Sequence, residues 1–206
     1  DPGLVRELED TFHAEIENGS LTLRHMDVRD FLPADEPLLK EGYVLAANIP
    51  YYITGSIVRQ FLSTDLQPHH LALLIQKEVA ERIIANEGKE SLLSLSVKAY
   101  GTPHYVRTIK RGSFSPTPKV DSAVLSIEHI SRNSFEKQHM EEIFFTLIHA
   151  GFSAKRKQLG KLLKAHVDDT TLEHCGIAKS ARAEDVPLEH WLCLSQMVAT
   201  QGTSRS

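Results

Sequence analysis

Tyr43-Val44-Leu45-Ala46-Ala47-Asn48-Ile49-Pro50-Tyr51-Tyr52-Ile53-Thr54 decides how the chain is to be read. Its first residues form an apolar run of strand length. After Thr54-Gly55-Ser56, the apolar residues Ile57, Val58, Phe61 and Leu62 fall at helical spacing. An Asn-x-Pro-aromatic turn leaving a buried strand and entering a helix sits at the carboxyl edge of a sheet, where open α/β folds bind ligands. The stretch therefore predicts an α/β fold with its site at this turn.

The residue types suit a planar base bearing an exocyclic amine. Pro50 stiffens the backbone, the Asn48 carboxamide accepts and donates in one plane, and Tyr51 offers a flat face. The lone pair of the adenine amine is delocalised into the ring. If the Asn48 oxygen and a carbonyl of the turn accept its two N–H bonds, the nitrogen is held closer to sp3 and aimed at an electrophilic methyl group. Stacking on Tyr51 is worth about 1–3 kcal/mol per base. The alternative is a Pro-Tyr turn that closes a strand and tucks its aromatic ring into the core.

Working outward, Asp1-Pro2 has the form of a helix start, with Leu4, Leu8 and Phe12 on one face up to Asn18-Gly19. Leu21 to Met26 reads as a strand, and Asp27 just past it is placed either to accept from an adenine amine or to cap a turn. His70 to Ile75 is a strand for a sheet covered on both faces, followed by helices from Gln76 and from Ser91 to Tyr100. Two more strands are expected at His104–Ile109 and Ser122–Ile127. Between them, Phe114-Ser115-Pro116-Thr117-Pro118-Lys119 is a stiff loop. It either closes the second face of a flipped base, with Lys119 on its phosphate, or plugs a hairpin with Phe114. From about Ile130 only helical patterns occur. Lys155, Arg156, Lys157, Lys161 and Lys164 form a basic helical segment, read either as an RNA-backbone contact or as a solvated face. Leu172–Ile177 and Pro187–Val198 complete a small helical unit, and Thr200–Ser206 is expected to fray.

Composition sets bounds on these readings. The 206 residues suit one ordinary domain or a domain with an appendage, and 41% hydrophobic content supports a real core. A net charge of −4 leaves nucleic-acid binding to local patches. Cys175 and Cys193 are too few for a disulfide framework, which implies a reducing compartment. No apolar run approaches the roughly 18 residues of a membrane span, and no signal-peptide layout opens the chain. The expectation is a soluble, cytoplasmic protein. The 11 histidines show no metal-binding motif, and adjacent His69 and His70 would point to opposite faces of a strand, so no metal is expected.

With these pieces in place the chain resembles the ribosomal RNA small-subunit adenine N6,N6-dimethyltransferase family. The resemblance rests on Asn48-Ile49-Pro50-Tyr51, Gln76-Lys77-Glu78-Val79-Ala80 with Arg82, Phe114 through Ser122, Phe152 with Lys155-Arg156-Lys157, and Arg182-Ala183-Glu184. It implies an α/β, Rossmann-like class I methyltransferase domain with a seven-stranded sheet over residues 1–129, and a small all-α C-terminal domain over 130–206. S-adenosylmethionine is the implied cofactor. Asp27 would contact the cofactor adenine, and Asn48 would lie between cofactor and target base. Pro50, Tyr51 and Phe114 would frame the flipped adenine, while Lys119, Lys155, Arg156 and Lys157 would meet RNA. The implied partner is the small ribosomal subunit, and a monomer is expected.

Five strands are counted here, near 20–26, 43–47, 70–75, 104–109 and 122–128, against the family's seven. The chain also opens directly on a helix. An N-terminal portion bearing the glycine-rich cofactor loop is therefore expected to be absent, with weak cofactor binding by this chain as the consequence. Two alternatives stay open: a non-catalytic ribosome-assembly factor, and a large-subunit methyltransferase of the resistance type.

Overall fold

A computed structural model describes residues 2–85, 87–135 and 138–203. In chain order the elements are α1 (Pro2–Thr11), α2 (His13–Glu17), β1 (Val44–Asn48), α3 (Thr54–Leu62), β2 (His70–Gln76), α4 (Lys77–Ile84), α5 (Leu92–Lys98), β3 (Thr102–Ile109), β4 (Ser122–Glu128), α6 (Gln138–Gly151), α7 (Leu159–Leu162), α8 (Asp169–His174) and α9 (Leu188–Thr203).

The strands make a mixed sheet in the order β1-β2-β4-β3. β1 and β2 run parallel from Val44↔His70 to Asn48↔Leu74, so both deliver their carboxyl ends to the same edge. β4 inserts antiparallel between β2 and β3, and Ser122 at its start faces both Gln76 and Ile109. On β2, Leu71, Leu73 and Ile75 are fully buried, while Ala72 and Leu74 are half-buried. One face of the sheet is sealed at the central strands β2 and β4, whereas the edge strands β1 and β3 have no fully buried residue.

Helix packing follows the spacing of apolar residues. In α3, Ile57, Val58, Phe61 and Leu62 are buried together. Gln60, on another side of α3, donates from Nε2 to the carbonyls of Val28 (3.0 Å) and Phe31 (2.8 Å), which fastens the segment after Asp27 to the helix. α5 starts at a reciprocal serine cap: Ser91 accepts from the Ser94 N–H, and the Ser94 hydroxyl accepts from the Ser91 N–H. The C-terminal helices are built on α6 against α9, where Gly151 lets the Trp191 ring approach; a Cβ there would lie 2.4 Å from the ring.

One buried cluster runs from Ile49 through the sheet to Trp191 and Leu194. The Tyr100 hydroxyl donates to Glu141 on α6, and burial together with that carboxylate pushes the Tyr100 pKa up. Lys89 pairs with Glu184 at 2.7 Å, and the Glu90 N–H donates to the Glu184 carbonyl at 2.8 Å. The Arg182-Ala183-Glu184 segment is thus a strap between the sheet's helices and the C-terminal helices.

Several expectations are corrected. Leu21–Met26 is not a strand: only Leu21 and Leu23 are half-buried, and no strand lies along the free edge of β1 among the described residues. The described sheet therefore has four strands, not five. The α1 face is not sealed, with Leu4 54% and Phe12 40% exposed. Lys155, Arg156 and Lys157 lie in a turn between α6 and α7, not on a helix. Thr200–Thr203 continue α9 instead of fraying; residues 204–206 and the expected cap Asp1 lie outside the described residues. Cys175 and Cys193, taken as unpaired thiols, are joined as a disulfide with Cα atoms 5.7 Å apart, because the end of α8 packs on α9. Among the described residues no helix is long and apolar enough to cross a membrane, and no group of three or more His, Cys, Asp or Glu could hold a metal ion.

Candidate active site

Asn48 is the last residue of β1, and its register with Leu74 puts it at the carboxyl edge of the parallel pair. Ile49 is buried and pins the chain there, while Pro50 starts a single helical turn over Tyr51–Ile53. That turn is braced from inside. The Pro50 carbonyl accepts from the Ile53 N–H at 3.1 Å, and the Tyr51 carbonyl accepts from the hydroxyl of buried Thr54 at 3.1 Å. The Asn48 carboxamide is exposed and makes no hydrogen bond among the described residues, which leaves its oxygen and amide hydrogens for a ligand.

The loop between β3 and β4 faces this turn. Its base is clamped by Asp121, whose carboxylate accepts from the Arg111 N–H and from the Lys110 ammonium, each at 3.0 Å. The Arg111 amide, seconded by Lys110, holds the Asp121 carboxyl below the usual carboxylate range. Past this clamp the loop carries Phe114 to the Asn48 turn. Asn48, Ile49, Pro50 and Tyr51 then share a wide-mouthed cavity of about 340 Å3 with Phe114, Ser115, Pro116 and Pro118. Tyr51 and Phe114 are both half-buried, each with part of its side chain on this cavity. Neither ring is fully buried, as a core plug would be.

The other candidates sit elsewhere. Asp27 caps the single turn Val28–Asp30 and does not line this cavity. Its carboxylate accepts from the Arg29 backbone N–H at 2.9 Å and from the Arg29 guanidinium at 3.0 and 2.6 Å. That side-chain pairing, first, and the backbone bond hold its pKa down at about 2. Lys119 is exposed beside Pro118, just outside the lining. Lys155 and Lys157 line a separate cavity of about 390 Å3 with Arg82, Lys89 and Phe152, and Arg156 is exposed nearby in the same turn. Sequence reading missed Thr54, Asp121 and Ser122, whose polar atoms hold the site from behind. Thr54 was within reach as a residue opening a helix; the other two depend on contacts between distant segments.

The model of one family, "Ribosomal RNA adenine dimethylase", matches residues 1–200. The chain belongs to that family. Among curated relatives in this dimethylase family, the "Ribosomal RNA small subunit methyltransferase A" of Dehalococcoides mccartyi is 38% identical over 180 residues, covering 84% of this chain and 62% of the relative. The protein of the same name from Fusobacterium nucleatum is 34% identical over 161 residues, covering 75% and 61%. The chain thus spans about three fifths of the length of these relatives. Among solved structures, a dimethyladenosine transferase from Plasmodium falciparum superposes with a TM-score of 0.80 at 24% identity, over 98% of this chain and 80% of that one. The 23S rRNA methyltransferase ErmE gives 0.75 at 21%, over 97% and 79%. At such identities these two establish the fold alone: a Rossmann-like methyltransferase fold with a helical C-terminal part.

Proposed function

We propose that the full-length protein carrying this chain transfers methyl groups from S-adenosylmethionine to N6 of adenosines in small-subunit ribosomal RNA, giving N6,N6-dimethyladenosine. One observation carries the reading: an unpartnered carboxamide at a strand end shares a cavity with two aromatic side chains from separate segments. A planar base between Tyr51 and Phe114 would present its amine to Asn48. The Asn48 oxygen accepts one N–H, and the lone pair turns out of the ring plane toward the methyl donor. S-adenosylmethionine, when bound, would supply the methyl group: its S–CH3 bond breaks as the N–CH3 bond forms, the electron pair going to the sulfonium, which leaves as the neutral thioether S-adenosylhomocysteine. The proton released from the methylated amine leaves through the Asn48 oxygen or to water, and no strong base is needed.

The fit of the described residues to the cofactor is partial. An ionised Asp27 is acceptor-only and suits an adenine amine, provided Arg29 shares it. No two of the 11 glycines stand at Gly-x-Gly spacing, so no backbone cradle for the methionine end is evident. We therefore expect the 206-residue chain alone to bind S-adenosylmethionine weakly, and calorimetric titration giving micromolar affinity would refute that.

The small-subunit choice over the large-subunit one is supported by relatives of 34–38% identity bearing the small-subunit name. Against a non-catalytic assembly factor stand the family match and the relatives that bear a methyltransferase name. We place the working division between the two parts near residue 129, the partner as the small ribosomal subunit, and the enzyme as a cytoplasmic monomer. Disulfides are rare in the cytoplasm, but neither Cys175 nor Cys193 lines the cavity. The test is mass spectrometry of small-subunit RNA after incubation with full-length protein and labelled cofactor. Asn48→Ala should lower kcat about 100- to 1,000-fold, as loss of a donor or acceptor aimed at a transition state does. An Asn48→Ala enzyme that methylates as well as the parent removes the assignment.

A further inference from the structure

Ser122 is a fully buried polar residue at the start of β4, paired on one side with Gln76 and on the other with Ile109. Its hydroxyl lies 2.7 Å from the Tyr51 hydroxyl, across 71 residues of sequence. Other buried polar groups among the described residues make local bonds. Thr54 braces the carbonyl three residues back, Ser94 completes the α5 cap, Thr171 bonds Asp168 at the start of α8, and Ser195 bonds its own helix at Trp191. Ser122 reaches across the fold, and what it reaches is the ring assigned to one face of the base.

A buried hydroxyl costs free energy unless it is paired, and at a strand position followed by Ala123 an apolar side chain would be the cheaper choice. The bond to Tyr51 offsets that cost and gives the position a purpose. The tyrosine is tethered at both ends, its Cα in the braced turn and its hydroxyl on the sheet, so tilt of the ring plane is restrained. The preceding residue does the same for the opposite loop. Asp121 holds Lys110 and the Arg111 N–H with its side chain, and its carbonyl accepts from the Lys77 N–H at 3.0 Å. Two consecutive residues at one strand end thereby anchor both halves of the cavity.

We infer that Ser122 is a positioning residue that fixes the Tyr51 ring and, through it, the angle at which the target amine meets the methyl donor. This rests on the proposed methyl transfer. Ser122 touches neither the base nor the cofactor; it acts through Tyr51, so its removal misaligns a bound base without preventing binding.

The test uses the full-length protein, labelled S-adenosylmethionine and unmethylated small-subunit RNA. Ser122→Ala is expected to lower kcat about tenfold with KM little changed, since small misplacements of reacting groups cost rate. Tyr51→Phe, which deletes the same bond from the other end, should do the same, and the double variant should be no worse than either. A Ser122→Ala loss that multiplies with that of Tyr51→Phe, that appears in KM, or that is absent overturns the inference. Thermal unfolding of the same four proteins is read alongside, independent of activity. Losses that are not additive uphold the bond as an anchor, and additive losses overturn it. If the parent fails to methylate, the proposed function falls while the unfolding cycle still decides whether Ser122 holds Tyr51.

Discussion

Asp27 illustrates how much a single carboxylate is asked to do. It caps a helical turn through the Arg29 N–H, pairs with the Arg29 guanidinium, and is the group proposed to accept from the cofactor's adenine. Its folded-state pKa of about 2 lies below the ordinary 3.8, so the fold favours the ionised form. The contribution of this pair is present above about pH 4 and is lost as the pH falls through 2. NMR titration of the Asp27 carboxyl carbon should give a midpoint near 2, and Arg29→Gln should return it toward the ordinary value. An unmoved midpoint in that variant means that Arg29 is not the cause. At this scale the residue types and flanking prolines singled out Asn48, Tyr51 and Phe114 locally, and the structure brings the three to one cavity. Ser122 was not legible, since its meaning lies entirely in a hydroxyl 71 residues away. Arg29 as the partner of Asp27 was readable in principle from the two-residue spacing.

Elements were legible where apolar spacing and packing agree. β1, β2, β4 and α3 fall close to the expected limits; β2, β4 and α3 bury the residues whose periodicity announced them, whereas β1, expected to be buried, is an edge strand that only half-buries Leu45 and Ala47. Leu21–Met26 misled: its alternation is genuine, but a strand exists only where its backbone groups find a partner, and the Leu21 N–H donates instead to the Glu15 carbonyl. The basic segment misled similarly, since chain turning at Ser153–Lys157 breaks a helix that charge and Leu spacing suggested. A glycine decides the α6–α9 contact. Adding a methyl group at Gly151 places it 2.4 Å from the Trp191 ring and 2.9 Å from Leu159, and both neighbours are fully buried. Gly151→Ala should therefore destabilise the protein by about 1–3 kcal/mol, the usual range for overpacking, despite the better helix propensity of alanine. Urea unfolding measures this; a variant as stable as the parent would show that the two helices part without cost.

For the molecule as a whole, the proposed function raises the question of how a chain of net charge −4 would grip a polyanion. The answer lies in which cations are already used. Arg82 is paired with Glu78, and Lys89 with Glu184 and Asp185, whereas Lys155, Arg156 and Lys157 have no ion pair among the described residues. All three are exposed in one turn, beside a cavity that runs between the sheet's helices and the C-terminal ones. Unpaired cations on a fixed turn are free to release counterions from RNA, and each phosphate neutralised adds about 0.7–0.9 to the slope of log affinity against log salt. For the full-length protein, replacing all three by glutamine should lower that slope by about 2 and weaken binding at every salt concentration, uniformly across RNA sequences. Asn48→Ala should leave the slope as it is, because a carboxamide displaces no counterion. Fluorescence anisotropy of a labelled small-subunit RNA fragment across a potassium chloride series distinguishes the two. A slope unchanged by the triple substitution would move the RNA-binding surface away from this turn and leave the loop at Lys110, Arg111 and Lys119 as the basic segment nearest the cavity.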